Sequence, residues 1–391
     1  MKAASLPIQY ILRNEQLTEA CNVLNNSTEV AVDLEFDKNR YRYGFNLCLI
    51  QIATHEHCYI IDPLKKGLDI SGLFAVLENP SIQKVTFAFN EDLRLLHSLG
   101  CFPKNVFDIS VASKLMNYPP ASLKNILADV LDIDISKAAQ TSNWFKRPLT
   151  DGQIQYAAQD VLFLFQLKEA LLKSTVDPII YEWIEQENKS IEFISYADEQ
   201  NSTPYKEKDK SGLTQFEWYL YKNLLLLREE WAASYNKPSY QVIDKNFLRE
   251  TARDVAGGRS WTKKWGIFKP FNTSKNKDSL KKSVQQFRKE AESQGLSKTN
   301  KEIRRQTREE IQAFREERNR KEDIKTSLFG PIKQLITERY GEHTSTFMLS
   351  NKLILKIIDG HTEELLDYRK DLILDLAEEL NIDLESFFAT V

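Results

Sequence analysis

The octet EVAVDLEF, residues 29–36, alternates strictly along its length. Val30, Val32, Leu34 and Phe36 fall on one face, and Ala31, Asp33 and Glu35 on the other, which is the period of two of a β-strand. That geometry sets the two carboxylates on one side, about 7 Å apart along the chain. Two acids so placed repel each other unless a cation sits between them. A strand with one solvent-facing polar side would give the same pattern. Outward from the octet, residues 47–53 and 58–61 are apolar runs, the second stopped by Asp62-Pro63. Residues 85–89 are a further short β-rich run, followed by a helical pattern through Leu93, Leu96 and Leu99 that Gly100 ends. Strands and helices alternate through residue 175, which predicts an α/β domain with a mixed sheet, followed by a mostly helical remainder.

Composition bounds the possibilities. The 391 residues are 42% hydrophobic and 28% charged, enough to bury a core. No apolar run approaches the roughly 18 residues of a membrane span, and the N-terminus lacks an apolar signal core. Four cysteines (Cys21, Cys48, Cys58 and Cys101) form no C-x-x-C pair, so neither a disulfide framework nor a zinc ribbon is expected; a cytoplasmic location is. The net charge of −3 conceals a polarity. Residues 1–173 hold 17 Lys+Arg against 19 Asp+Glu, whereas residues 259–325 hold 20 against 10, a net of +10. A near-neutral body with a cationic segment suits a polyanion.

Two further groups of residues could do chemistry. Asp92 opens the helix after residues 85–89; an acid there also serves the helix dipole without further purpose. Tyr156 and Asp160 are four apart on a helix opened by TDGQ, residues 150–153, a capping box, so they share one face. That face equally suits ordinary solvated residues, with Ile154, Ala157, Val161 and Phe165 packing inward. Elsewhere, His55 and His57 read as turn residues, Asp108 as a helix cap, and Trp144 as an anchor for the helix that follows. Gly257-Gly258-Arg259-Ser260 lacks the G-K-[ST] ending of a phosphate loop.

In order, these pieces resemble a known family. VAVDLEF (30–36), LIQIA (49–53), VTFAFNEDL (85–93), KAAQTSNWFKRPL (137–149) and YAAQD (156–160) are similar to the motifs of the DEDD superfamily of 3′–5′ exonucleases, tyrosine subtype, and within it ribonuclease D. The resemblance covers roughly residues 8–175 and implies a ribonuclease H-like fold. One departure is Phe87, where the family often has histidine. Past a polar linker, DEQNSTPYKEKDKSG (198–212), the stretches WIEQEN (183–188) and LLLLREEWA (224–232), with Lys237-Pro238 and Phe247-Leu248, resemble an HRDC helical domain; residues 340–360 resemble a second one. The implied division is an exonuclease domain at 1–175, a helical linker at 176–213, an HRDC domain at 214–295, a charged helical segment at 296–325 and a C-terminal helical domain at 326–391.

The resemblance implies that Asp33, Glu35, Asp92 and Asp160 hold two divalent ions, Mg²⁺ or Mn²⁺, that Tyr156 aligns the attacking water, and that 3′ ends are hydrolysed to nucleoside 5′-monophosphates. Four carboxylates carry −4, which two such ions cancel, and all-oxygen ligands suit them. The implied substrate is structured RNA with a single-stranded 3′ end, as in tRNA precursors. A Werner-type DNA exonuclease and a catalytically inactive RNA-binding module of the same fold remain alternatives. The cationic segment, with Trp261, Trp265, Phe268 and Phe271 among its lysines, offers Lys263, Lys264, Lys281 and Lys282 as nucleic-acid contacts. Solvated charged helices would look the same there.

Overall fold

The computed structural model describes residues 6–136, 139–175, 177–194, 196, 203–263, 265–299, 307–363 and 365–388. Lys264 of the expected contacts, Lys137 of the third motif's prelude and residues 300–306 of the charged segment lie outside the described residues. The chain divides into two compact units: Met1–Glu35, Leu47–Tyr196 and Thr307–Val391 form the first, Phe36–Asn46 and Ala197–Gln306 the second. No described helix is long and apolar enough to cross a membrane.

Six strands are joined in one sheet in the order β1-β4-β3-β2-β5-β6. They are β1 (Ile8–Ile11), β2 (Glu29–Lys38), β3 (Phe45–Ala53), β4 (Cys58–Ile61), β5 (Gln83–Thr86) and β6 (Val106–Asp108). The sheet is mixed: β3 and β4 run antiparallel, while β1 with β4, β2 with β5 and β5 with β6 run parallel. Helices α1 (Asn14–Asn25), α2 (Ser71–Glu78), α3 (Asn90–Ser98), α4 (Ile109–Leu115) and α5 (Leu123–Leu131) alternate with or follow the strands, then α6 (Asp151–Leu162), α7 (Leu164–Ser174) and α8 (Pro178–Ser190). Ala31, Ala53, Ile60 and Val85 of the sheet share a core with Ala157, Ala158, Val161 and Leu167, so α6 and α7 cover one sheet face. By period two that face is also the one toward which Asp33 and Glu35 point. One expectation shifts: the β-rich run 85–89 is strand only to Thr86, and the chain then turns through Ala88 at φ +56° into α3.

The C-terminal helices complete the first unit. They are α12 (Arg308–Ile324), α13 (Gly330–Tyr340), α14 (Glu342–Met348), α15 (Asn351–Ile358), α16 (Asp367–Glu379) and α17 (Glu385–Phe388), with a π-turn at Lys325–Phe329. Phe329, Ile332, Ile336, Met348 and Ile357 pack with Ala112 and Leu115 of α4 and with Trp183 and Ile184 of α8. Trp183 stacks on Tyr368 at 5.5 Å and meets Tyr340 edge-on at 4.9 Å. Thus residues 183–188, grouped in the sequence reading with 224–232, are built into the first unit instead.

The second unit is helical: α9 (Gln215–Tyr235), α10 (Lys245–Ala256) and α11 (Ser274–Ser293). Thr214 and Glu217 close a capping box at the start of α9, and Asn236 ends it in the left-handed conformation. Leu220, Leu224 and Ala232 then pack against Leu248 and Ala252 of α10 and Leu280 and Val284 of α11.

Candidate active site

Three elements of the first unit converge. β2 supplies Asp33 and Glu35, α6 supplies Tyr156 and Asp160, and α3 supplies Asp92 in its first turn. The sequence sets up each placement locally. The Thr150 hydroxyl accepts from Gln153 N at 3.2 Å while Gln153 Oε1 accepts from Thr150 N at 3.1 Å, which fixes where α6 starts. Ala157, Ala158 and Val161 seat that helix on the sheet, leaving Tyr156 and Asp160 one turn apart beside β2.

Oxygen atoms of Asp33, Glu35 and Asp160 lie within 4.8 Å of one another, each side chain only partly exposed. Asp92 is outside that close triad, but its charge raises both Asp33 and Glu35. Its Oδ1 is buried without a hydrogen-bond partner among the described residues. All four acids are held above the usual carboxylate range. Removal from water raises Asp33 most, followed by the charges of Asp160, Asp92 and Glu35. Glu35 is raised by burial and then by Asp160 and Asp92. Burial pushes Asp92 up to about 8 and Asp160 to about 7, the latter against a lowering hydrogen bond from Tyr156. Among the described residues, no Lys or Arg stands among the causes of these shifts. Burial, then the neighbouring anions Asp160, Glu35 and Asp33, raises the Tyr156 phenol, so it stays neutral beside Asp160.

Concentrated like charge with hard oxygen donors, and no counter-ion among the described residues, fits a divalent metal ion, and Asp33, Glu35 and Asp160 could hold one. The sequence-predicted residues Asp33, Glu35, Tyr156 and Asp160 are therefore brought together, with Asp92 at the margin. The histidines are not part of this group: His55 pairs with Glu29 at 3.0 Å and stacks on Phe165 at 4.2 Å. Phe87 packs against the core beneath α6 and α7.

Sequence reasoning missed the supports. Arg147 donates to both oxygens of Asp62 at 2.5 and 2.7 Å, to the Trp144 carbonyl at 2.6 Å and to the Cys48 carbonyl at 2.9 Å. Tyr10 adds a 2.7 Å bond to Asp62. Burial raises Asp62, but Arg147 and Tyr10 together bring it below its ordinary value. This part-buried pair ties the chain just before α6 to β3 and to the residue that follows β4. Its partners are 85 residues apart, and no local spacing announces them.

Residues 8–175 match the family model described as a 3′–5′ exonuclease. The chain is 30% identical over 249 residues to ribonuclease D of Desulfotalea psychrophila, covering 62% of this chain and 66% of that one. It is 36% identical over 162 residues to ribonuclease D of Haemophilus influenzae, covering 41% and 40% respectively. The matches thus span less than two thirds of these relatives' lengths. Among solved structures, Escherichia coli RNase D, described as an exoribonuclease involved in structured RNA processing, superposes with a TM-score of 0.64 at 20% identity, covering 96% of this chain and 99% of that one. At that identity the likeness is one of fold.

Proposed function

We propose, for a chain that belongs through residues 8–175 to the ribonuclease D family of 3′–5′ exonucleases, that it trims RNA from the 3′ end and releases nucleoside 5′-monophosphates. The observation carrying this reading is the group of Asp33, Glu35 and Asp160 within 4.8 Å, with Tyr156 one helical turn before Asp160. Two divalent ions, Mg²⁺ or Mn²⁺, held by Asp33, Glu35, Asp92 and Asp160, would compensate charge on the scissile phosphate and supply a nucleophile at neutral pH. Tyr156 acts as a neutral hydrogen-bond donor that orients water. It does not serve as a base, since the surrounding anions oppose its ionisation. Water adds to phosphorus, and the 3′-oxygen of the shortened chain departs and takes a proton.

RNA rather than DNA follows the printed role of the E. coli relative and the names of the curated ones. The second unit, read as an HRDC-type module, contributes backbone contacts through Lys263, Lys264, Lys281 and Lys282. Trp265, with Lys277 and Lys281 Nζ at 5.6 and 5.7 Å from its ring centre, supports a single-stranded occupant. The test is timed digestion of matched 5′-labelled RNA and DNA oligonucleotides with Mg²⁺ and with chelator. A ladder shortening from the 3′ end of RNA, only with metal, is expected. Internal fragments, or equal digestion in chelator, would overturn the reading, and a faster DNA ladder would overturn its substrate.

A further inference from the structure

The supports around Asp92 carry an inference that rests on its place in the proposed site. Asp92 is the third residue of α3, and α3 has no side-chain cap of its own. Just before it the chain leaves β5 at Thr86 and turns through Ala88, whose φ of +56° lies in the left-handed region. An alanine there is strained, because its Cβ crowds the following carbonyl. Strain of that kind persists only where the surroundings over-determine the conformation.

Here one side chain does so. β5 and β6 are parallel, with Thr86 beside Asp108, so the Asp108 carboxylate stands where the chain turns off the sheet. Its Oδ1 accepts from Ala88 N at 2.8 Å and from Ser110 N at 2.8 Å, and its Oδ2 accepts from Phe89 N at 2.9 Å. The Ser110 bond is the helix cap legible in the sequence, since Asp108 precedes α4. The bonds to residues 88 and 89 are not explained by capping. Asp108 is itself fixed, because its N–H donates to Asn188 Oδ1 at 2.7 Å while Asn188 Nδ2 donates to the Ile184 carbonyl at 2.9 Å. Asp108 and Asn188 are both buried.

We propose that Asp108 is a positioning residue: its carboxylate clamps the strained Ala88–Phe89 turn and thereby fixes where α3 presents Asp92. Two oxygens are needed, one for each turn N–H, and one of them doubles as the α4 cap. A serine at 108 keeps the cap, because serine caps helices about as well as aspartate. It has a single oxygen, so it cannot hold both turn donors as well. The clamp and the cap are therefore separable by Asp108→Ser.

The experiment measures Mn²⁺ binding by electron paramagnetic resonance, together with thermal melting, on the full chain. Four variants are compared with wild type: Asp92→Asn, Asp108→Ser, Ala88→Gly and the double variant Asp108→Ser with Ala88→Gly. Supporting groups around a metal site typically cost roughly 10–100-fold in affinity or activity when lost. Asp108→Ser is expected to weaken Mn²⁺ binding within that range while melting stays close to wild type. Ala88→Gly alone changes little. In the double variant it recovers much of the affinity, because glycine enters the left-handed region without strain. Unchanged Mn²⁺ affinity in Asp108→Ser, beside a weakened Asp92→Asn, overturns the clamp. So does a loss that tracks melting and that Ala88→Gly fails to restore. If Asp92→Asn itself binds Mn²⁺ as wild type does, the placement of Asp92 in the site fails, and the clamp's proposed purpose fails with it.

Discussion

Charge is handled in opposite ways in two regions of this protein. Beneath and along α6, Asp33, Glu35 and Asp160 crowd within 4.8 Å, and no cation among the described residues pairs with them. Along residues 259–325 the net charge is +10, and several of its cations are also paired with nearby acids. Arg259 meets Asp254 at 2.8 Å, Lys281 meets Asp278 at 3.1 Å, Arg288 and Lys298 share Glu292, and Arg320 meets Glu317 at 2.8 Å. Exposed pairs of this kind are screened by solvent, contribute little, and form on any charged helix. Four acids pushed upward in pKa carry a folding cost, which a sequence keeps only for a purpose. Charge that the fold leaves uncompensated is therefore the stronger functional signal, and charge summed over a segment the weaker one.

The largest test of that contrast removes an acid. Asp33→Asn or Asp160→Asn keeps the shape and deletes one charge of the cluster. Hydrolysis is expected to fall below detection, while the metal-free protein melts at or above the wild-type temperature because like-charge repulsion is relieved. Digestion near the wild-type rate by either variant removes the cluster from the chemistry. Tyr156→Phe comes next. The ring keeps its packing near Trp144, 6.1 Å away, and only the hydroxyl is lost. Turnover is expected to drop by roughly 10²–10⁴-fold, the range for a positioned group handling a proton or water. Mn²⁺ affinity should change little, and full activity in Tyr156→Phe would make the tyrosine a packing residue.

How far the sequence reached follows the same divide. The octet at 29–36 announced β2 and both its acids, because period two is a local property. The T-x-x-Q box announced the start of α6 and, through it, the shared face of Tyr156 and Asp160. Asp92 could be named only through the family resemblance, since an acid in a first helical turn has a sufficient local reason to be there. The clamp at Asp108 and the Arg147–Asp62 pair were out of reach: each joins residues brought together by strand order, 20 and 85 positions apart. The run at 85–89 looks like strand three residues past the true end at Thr86, because Phe87 and Phe89 resemble strand residues. What ends the strand is a left-handed alanine fixed from β6, and alanine itself signals no such turn.

A smaller effect ties the acid cluster to pH. An acid whose pKa is higher in the folded than in the unfolded chain binds more protons when folded. Stability then falls as pH rises through the window between the two values. The window here runs from the ordinary carboxylate range near 4 to about 7 for Asp160 and about 8 for Asp92. Metal-free protein is therefore expected to melt at progressively lower temperature from pH 5 to pH 8. Mg²⁺ should restore several degrees at pH 8 and fewer at pH 5, where protonated acids bind it poorly. A melting temperature that rises over this range without metal would contradict the uncompensated cluster.

The smallest effect probes the basic region, where some of the lysines and arginines already have acidic partners. Lys263 and Lys282 are exposed, and Lys281 divides itself between Asp278 and the face of Trp265. Each phosphate contact on a single strand contributes about −0.7 to the slope of log K against log salt. Replacing Lys263, Lys281 and Lys282 with alanine can therefore flatten the slope for long RNA by about 2 at most, and by less if Lys281 stays with Asp278. KM on long RNA should rise and kcat stay level, because none of the three lies among the acids. Cleavage of a dinucleotide should be unchanged, since two nucleotides have too few phosphates to use such contacts. Equal losses on both substrates would mean that the lysines support the fold of α11. No change on either would reduce the region to a solvated face, and the contrast between the two regions would then be complete.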